Sequence, residues 1–416
     1  MKKNSIAIIG GGLTGCASAL YLKNKGYDVS IYEKDNDLGG ITKDLKFHNQ
    51  IYLNGPNYLN PESLLIQLIK EKNFFNNNIL TKNISYGSYT DIFGKKTFDS
   101  DFAHPVSFEK FKKKISSKIK VNNLLERIRY YPKKTSKDLI NWCSKFENEL
   151  IKLHPECSNA LGIGRVYFKN SEKELLIAKK KSNFYDSLLG IPNLNKLNTK
   201  FCIPKNGYNL FFQNLKKFLK EKNIKIILSN KISIKKEKDK IFFNTSKKSI
   251  VADYFIWACN PVPLLYSLNI GKLDNPIIKT KILSCDLSEN SKKIHNRYIQ
   301  VFSKKSNIFR IYIYNLKKKN KLTIELMINK KNNDEKKELE YSLNILSKFG
   351  YKFDIKDPIY ETKQIRHILF TTDDYEKFMK FEKISKNFNI ISGGWYLTGS
   401  QAKMNHIKKT IKKLNL

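Results

Sequence analysis

Residues 6–40 read IAIIGGGLTGCASALYLKNKGYDVSIYEKDNDLGG, and no other stretch of the chain restricts its fold as tightly. The apolar run 6–9 predicts a buried parallel strand, Gly10-x-Gly12-x-x-Gly15 a tight turn, and 16–25 a helix carrying Ala17, Leu20 and Tyr21. Gly10 permits the turn, Gly12 lets backbone approach a pyrophosphate, and Gly15 lets helix and strand pack closely. With Leu13 and Thr14 between them, the helix start offers unpaired N–H groups to an anion without any cationic side chain. A second strand, 28–32, runs into Glu33 and Lys34. The Glu33 carboxylate stands where it accepts hydrogen bonds from a ribose and disfavours a 2′-phosphate. A glycine-rich turn in any α/β protein is the plainer reading of these glycines.

The continuation Asp37-Leu38-Gly39-Gly40 sharpens the choice. Here the chain resembles the FAD-binding half of the flavoprotein superfamily that holds amine oxidases, phytoene desaturases, protoporphyrinogen oxidase and UDP-galactopyranose mutase. The resemblance implies that the paired glycines carry the chain along the dinucleotide toward the flavin, and that the cofactor is FAD, not NAD.

A chain of 416 residues can bury a large core, and 41% hydrophobic content fits a soluble protein. No run is long enough to span a bilayer, and the first residues lead into a core strand without a signal pattern, so a cytoplasmic site is expected. Cys16, Cys143, Cys157, Cys202, Cys259 and Cys285 lie far apart with no CxxC, which argues against zinc or a disulfide framework. No metal is expected. The net charge of +39 raises the question of nucleic acid, yet only six of the 77 basic residues are arginine, the residue favoured in base and bidentate phosphate recognition. The lysines are spread along the chain beside many asparagines and isoleucines, as codon bias toward A and T would produce. Nucleic-acid binding is therefore not expected. The positive surface suits an anionic small-molecule substrate and is compatible with peripheral contact to acidic lipid headgroups.

Along the rest of the chain, a hairpin-like piece at 41–53 precedes Gly55-Pro56-Asn57, and a helix follows from Glu62 to Lys72. The stretch 55–62 resembles a histidine-containing motif beside the flavin of the mutase, with Asn57 and Asn60 where histidines would stand. Short alternating runs at 84–98 suggest a small sheet, and 107–184 reads as mostly helical, with stripes such as Leu139, Trp142, Phe146 and Leu150 that belong to a core. His104 and His154 stand singly and are read as structural. Residues 201–208 resemble the turn that returns the chain to the FAD domain. A helix at 209–222, strands at 224–228 and 231–235, the latter including Ile232, and a strand at 252–258 are expected to rebuild the nucleotide-binding sheet. Alternation at 298–302, 309–314 and 322–326 indicates antiparallel strands flooring a substrate cavity.

Arg310 and Glu325 match, by position, an arginine and a glutamate of the mutase. Near the end of the sequence, Gly393-Gly394 and Met404-Asn405 resemble the paired glycine and helix that cover the flavin, but Trp395 replaces the mutase's arginine, and Gln401 and Lys403 replace its tyrosine and aspartate.

The expected fold is therefore α/β: a discontinuous doubly wound Rossmann-like FAD domain (1–60, 201–262 and 386–416), a helical insertion (61–200) and an antiparallel-sheet substrate domain (263–385). The resemblance implies a flavoenzyme, either a mutase-like isomerase acting on a nucleotide-activated sugar or an oxidoreductase of the amine oxidase, desaturase or protoporphyrinogen oxidase type. Chemistry carried by the cofactor accounts for a chain with no triad, paired carboxylates or metal cluster in its sequence. Substrate, electron acceptor and oligomeric state stay open.

Overall fold

In the computed structural model the described residues are 4–414, apart from 48, 56–57, 71–72, 93–95, 99–120, 147–148, 164–176, 178–179, 181–198, 239, 275–276, 289–295, 328–333 and 398. Two sheets organise them. The first is five-stranded and parallel: β1 (Ser5–Ile9), β2 (Asp28–Tyr32), β8 (Lys225–Ile227), β12 (Tyr254–Trp257) and β18 (Ile390–Ser392), in the order β18-β12-β1-β2-β8. Strands buried on both faces need apolar residues at every position, and Ile6, Ala7, Ile8 and Ile9 supply them in β1. The helix Leu13–Asn24 and the last helix, Ser400–Lys413, share one core with this sheet through Ala17, Leu20, Met404, Ile407 and Ile411. The five strands come from three distant parts of the chain, as a discontinuous domain requires.

The second sheet has eight strands: β5 (Ile79–Thr90), β6 (Lys96–Phe98), β7 (Thr199–Pro204), β13 (Ile277–Leu287), β14 (Arg297–Phe302), β15 (Ile308–Leu316), β16 (Lys319–Met327) and β17 (Ile355–Ile368). Its pairs are antiparallel except that β14 runs parallel to β5. Period-two alternation divides its faces. Ile299, Ile311, Ile313, Leu322, Ile324 and Leu283 pack with Leu339, Ile345 and Leu346 of the helix Glu335–Lys348. The opposite face is polar and aromatic, with Tyr298, Tyr312 and Tyr314 joining the core cluster of the dinucleotide-binding half.

Three expectations need correction. The strand expected at 231–235 is β9 (Ser233–Glu237), which pairs with β10 (Lys240–Asn244) and β11 (Ser249–Ile250) in a separate antiparallel sheet. Only Ile234 of its five residues is half-buried and the rest are exposed, and such a strand cannot be covered on both faces. The stretch 61–200 is not helical throughout, because β5, β6 and β7 enter the large sheet. The runs at 84–98 likewise belong to that sheet rather than to a small one of their own. Short helices Leu124–Arg129 and Lys133–Cys143 do occur there, burying Leu139 and Trp142; residues 107–120 of the stretch expected to be helical, and His104, lie outside the described residues. His154 stacks on Tyr375 at 3.9 Å, and burial lowers its pKa to about 4, which fits a structural ring. The hairpin at 41–53 is β3 (Leu45–Phe47) with β4 (Gln50–Tyr52).

Candidate functional site

In an open parallel sheet, ligands bind beyond the carboxyl ends of the strands where the strand order reverses. Here β1 lies between β2 and β12, and the turns that follow these strands meet at that edge. Gly10 follows β1 with φ of 111°, and a Cβ there would lie 3.1 Å from the Ala258 carbonyl that follows β12. A Cβ on Gly15 would lie 1.9 Å from the Gly10 carbonyl oxygen, so only glycine lets the helix start this close to the turn. Gly12, by contrast, faces open space. The first helical bond is Cys16 N–H to Gly12 O at 2.9 Å, so the N–H groups of Leu13, Thr14 and Gly15 lie ahead of the helix's own hydrogen-bond ladder.

The Gly39-Gly40 turn closes on this loop. Gly39 N–H donates to Gly11 O at 2.9 Å, and a Cβ on Gly40 would touch Gly12 Cα at 3.6 Å. Glu33 is buried, and its carboxylate accepts from Gly11 N–H at 2.7 Å and from Asp35 N–H at 3.0 Å. It therefore braces the glycine turn, a role invisible in the spacing alone, and keeps lone pairs for a ribose. Lys34 points outward and pairs with Asp35 at 2.9 Å. This cradle, too narrow for side chains yet open at Gly12, fits the diphosphate of a dinucleotide.

Across the edge, Gly393 and Gly394 follow β18 and are buried; a Cβ on Gly393 would meet the Trp257 carbonyl oxygen at 2.7 Å. A network absent from the sequence reading holds this turn. Ser392 Oγ donates to Glu382, His406 Nε2 lies 3.2 Å from Ser392 Oγ and 3.4 Å from Glu382, and Gly394 N–H donates to Ser392 Oγ at 3.3 Å. No local signal links residues 382, 392 and 406. Trp395 packs on Phe381 with ring centroids 4.8 Å apart, and its buried Nε1 has no hydrogen-bond partner. Gln401 Oε1 is likewise buried and unpartnered at the start of the last helix.

Of the other expected residues there, Lys403 sits in the first turn with its pKa lowered by burial, Met404 is fully buried in the core, and Asn405 is exposed. Ile232 is half-buried against a core cluster that includes Phe243, Phe255 and Trp257, Gly55 adopts φ of 80°, and Asn57 lies outside the described residues. Arg310 and Glu325 face each other across β15 and β16, with Nη1 3.4 Å from Oε2.

Strand order, glycine turns and acidic brace together define a dinucleotide-binding fold of the doubly wound type. Residues 8–71 match the family model of an NAD(P)-binding Rossmann-like domain. Over 59 residues the chain is 41% identical to 4,4'-diaponeurosporene oxygenase of Staphylococcus haemolyticus, covering 14% of this chain and 12% of that one. Over 108 residues it is 32% identical to cinnamate reductase of Clostridium sporogenes, covering 23% of this chain and 16% of the other. The matched segments thus span less than a fifth of either relative. Among solved structures, reduced UDP-galactopyranose mutase superposes with a TM-score of 0.68 at 14% identity, covering 100% of this chain and 94% of the mutase. Cyclohexylamine oxidase from Brevibacterium oxydans superposes with a TM-score of 0.60 at 10% identity, covering 100% of both chains. The chain has the fold of the amine oxidase and UDP-galactopyranose mutase-like flavoproteins.

Proposed function

We propose that the protein is an FAD-dependent oxidoreductase of the amine oxidase, desaturase or protoporphyrinogen oxidase type, acting on a small molecule. The observation that carries the cofactor is the cradle in which Gly39-Gly40 closes on Gly10–Gly15 beside Glu33. The N–H groups of residues 13–15 would hold the diphosphate, Glu33 the ribose, and Gly393-Gly394 with the start of the last helix the flavin end. FAD bound there would supply two-electron redox chemistry.

Arg310 favours the oxidoreductase over the mutase. A sugar diphosphate needs a free cationic fork, whereas Arg310 is engaged with buried Glu325, and Trp395 offers one N–H and an apolar face. The matched segments of an oxygenase and a reductase agree with that choice. On this reading the FAD-binding part comprises 1–60, 201–262 and 386–416, the substrate part contains the large sheet, and the protein acts in the cytoplasm. Among the described residues no helix is long and apolar enough to cross a membrane.

The test is the purified protein itself. It should carry FAD by absorbance, and anaerobic turnover should leave the flavin reduced. Conversion of UDP-galactopyranose to the furanose, with the flavin ending in the oxidation state in which it began, would restore the mutase reading.

A further inference from the structure

Gly393-Gly394, the turn proposed for the flavin end, has no side chain of its own to anchor it, and Gly394 sits at φ of 66°. Its place is set by three residues from three elements: Glu382 in the helix Thr372–Ile384, Ser392 at the end of β18, and His406 in the last helix. Their contacts follow from a count of protons. Ser392 is 1% exposed and has a single hydroxyl proton, which it donates to Glu382. Its Oγ therefore only accepts from its other two neighbours, Gly394 N–H at 3.3 Å and His406 Nε2 at 3.2 Å. His406 must then carry a proton on Nε2, and Glu382, 3.4 Å away, is the second acceptor for it. A carboxylate that draws on the serine hydroxyl makes Oγ a better acceptor in turn, so the hold on Gly394 N–H depends on all three residues.

The same residues also fix the turn by contact. A Cβ on Gly394 would lie 3.2 Å from His406 Cδ2, so the imidazole closes directly over this glycine. Phe381, one residue before Glu382, packs on Trp395, one residue after the turn. One helix thus holds the turn through a polar and an apolar side chain together. Attachment of the last helix to the sheet does not need this network, because Met404, Ile407 and Ile411 already supply the buried apolar contacts. The ring nitrogen of His406 serves the turn instead.

Resting on the flavoenzyme reading, we propose that Glu382, Ser392 and His406 are positioning residues for the cofactor. They fix where the Gly393-Gly394 turn stands relative to the start of the last helix, and with it the affinity for the flavin end of FAD. The glycine loop and Glu33 hold the ADP end without them.

FAD and ADP, titrated separately into the FAD-free protein by calorimetry, divide the two ends. Ser392→Ala should weaken FAD about tenfold and leave ADP within about twofold of wild type. His406→Leu should show the same split, and His406→Gln, whose amide keeps an N–H at the reach of Nε2, should recover most of the loss. FAD bound equally by wild type and Ser392→Ala would overturn the proposal. So would an equal loss of FAD and ADP, which would mean that the substitution disturbs the whole sheet, or a His406→Gln variant no better than His406→Leu, which would mean that the donor has no part. A wild-type protein that binds no FAD defeats the flavoenzyme reading itself, and the proposal with it.

Discussion

At the scale of single residues, the site depends on atoms that leave no room for substitution. Gly15→Ala would push a methyl into the Gly10 carbonyl, which is backbone and cannot swing aside. Overpacking of this kind costs about 1–3 kcal/mol, so the variant should show a lower urea midpoint as well as lost FAD uptake. Glu33→Arg should lose FAD more selectively, because it removes both the acceptor proposed for the ribose and the brace on Gly11 N–H. Equilibrium dialysis against FAD checks this, and retained affinity in Glu33→Arg would remove Glu33 from the site. Gly10, Gly12, Gly15 and Glu33 were legible because their spacing encodes one local strand, turn and helix. Glu382, Ser392 and His406 were not, since their contact is made only when the helix Thr372–Ile384, β18 and the last helix come together.

At the scale of elements, the helix Tyr208–Glu221 shows how a terminus can be satisfied from far away. Its N-cap is Gly207, which has no side chain to offer, and Asp44 supplies the missing acceptor: Oδ2 accepts from Asn209 N–H at 2.9 Å. Asp44 Oδ1 is buried without a partner, and burial raises the carboxyl's pKa from 3.8 to about 6. The folded chain therefore holds a proton there that the unfolded chain releases near pH 4. Stability from this group is full below that pH, falls as pH rises toward about 6, and is flat above. Asp44→Asn should abolish that fall while keeping an oxygen for the cap, a difference that urea unfolding at pH 4.5 and 7 would expose. If both proteins change alike over this range, Asp44 is not the source. The helix itself was expected within one residue at each end, from the resemblance of the stretch that leads into it. Its capping by residue 44 was not, because nothing in a local window ties position 44 to position 209. The same limit explains β9: Ile232 and Ile234 suggest a strand without showing which sheet it joins.

At the scale of the whole molecule, buried ionisable groups set the alkaline limit of stability. Burial pushes Cys143, Cys157 and Cys259 up to about 12, and Cys16 is raised further. Each thiol stays protonated in the folded chain where the unfolded one ionises near pH 9, so stability falls above that pH, by about 1 kcal/mol per thiol per pH unit. Lys145 works oppositely. Its amine donates to Ser303 O at 3.1 Å, and burial lowers its pKa from 10.5 to about 8, so it adds stability as pH rises between these values. Lys82, Lys321 and Lys403 are lowered by burial in the same way, so the thiol contribution is read from a variant. Between pH 9 and 10 the denaturant midpoint of Cys143→Ala should rise relative to that of wild type; a constant difference would show the Cys143 thiol to be accessible.

The sequence by itself determined what short-range order can carry: the strand-turn-helix that approaches a pyrophosphate, the acid after β2, and the alternation of the sheet strands. Those signals lie within about one supersecondary unit, where steric rules and periodicity act directly. Only the tertiary structure decided that Arg310 is neutralised by Glu325 and that Trp395 packs against Phe381. These depend on which elements become neighbours, and for Arg310 a one-residue change of register would turn its side chain to the opposite face of the sheet.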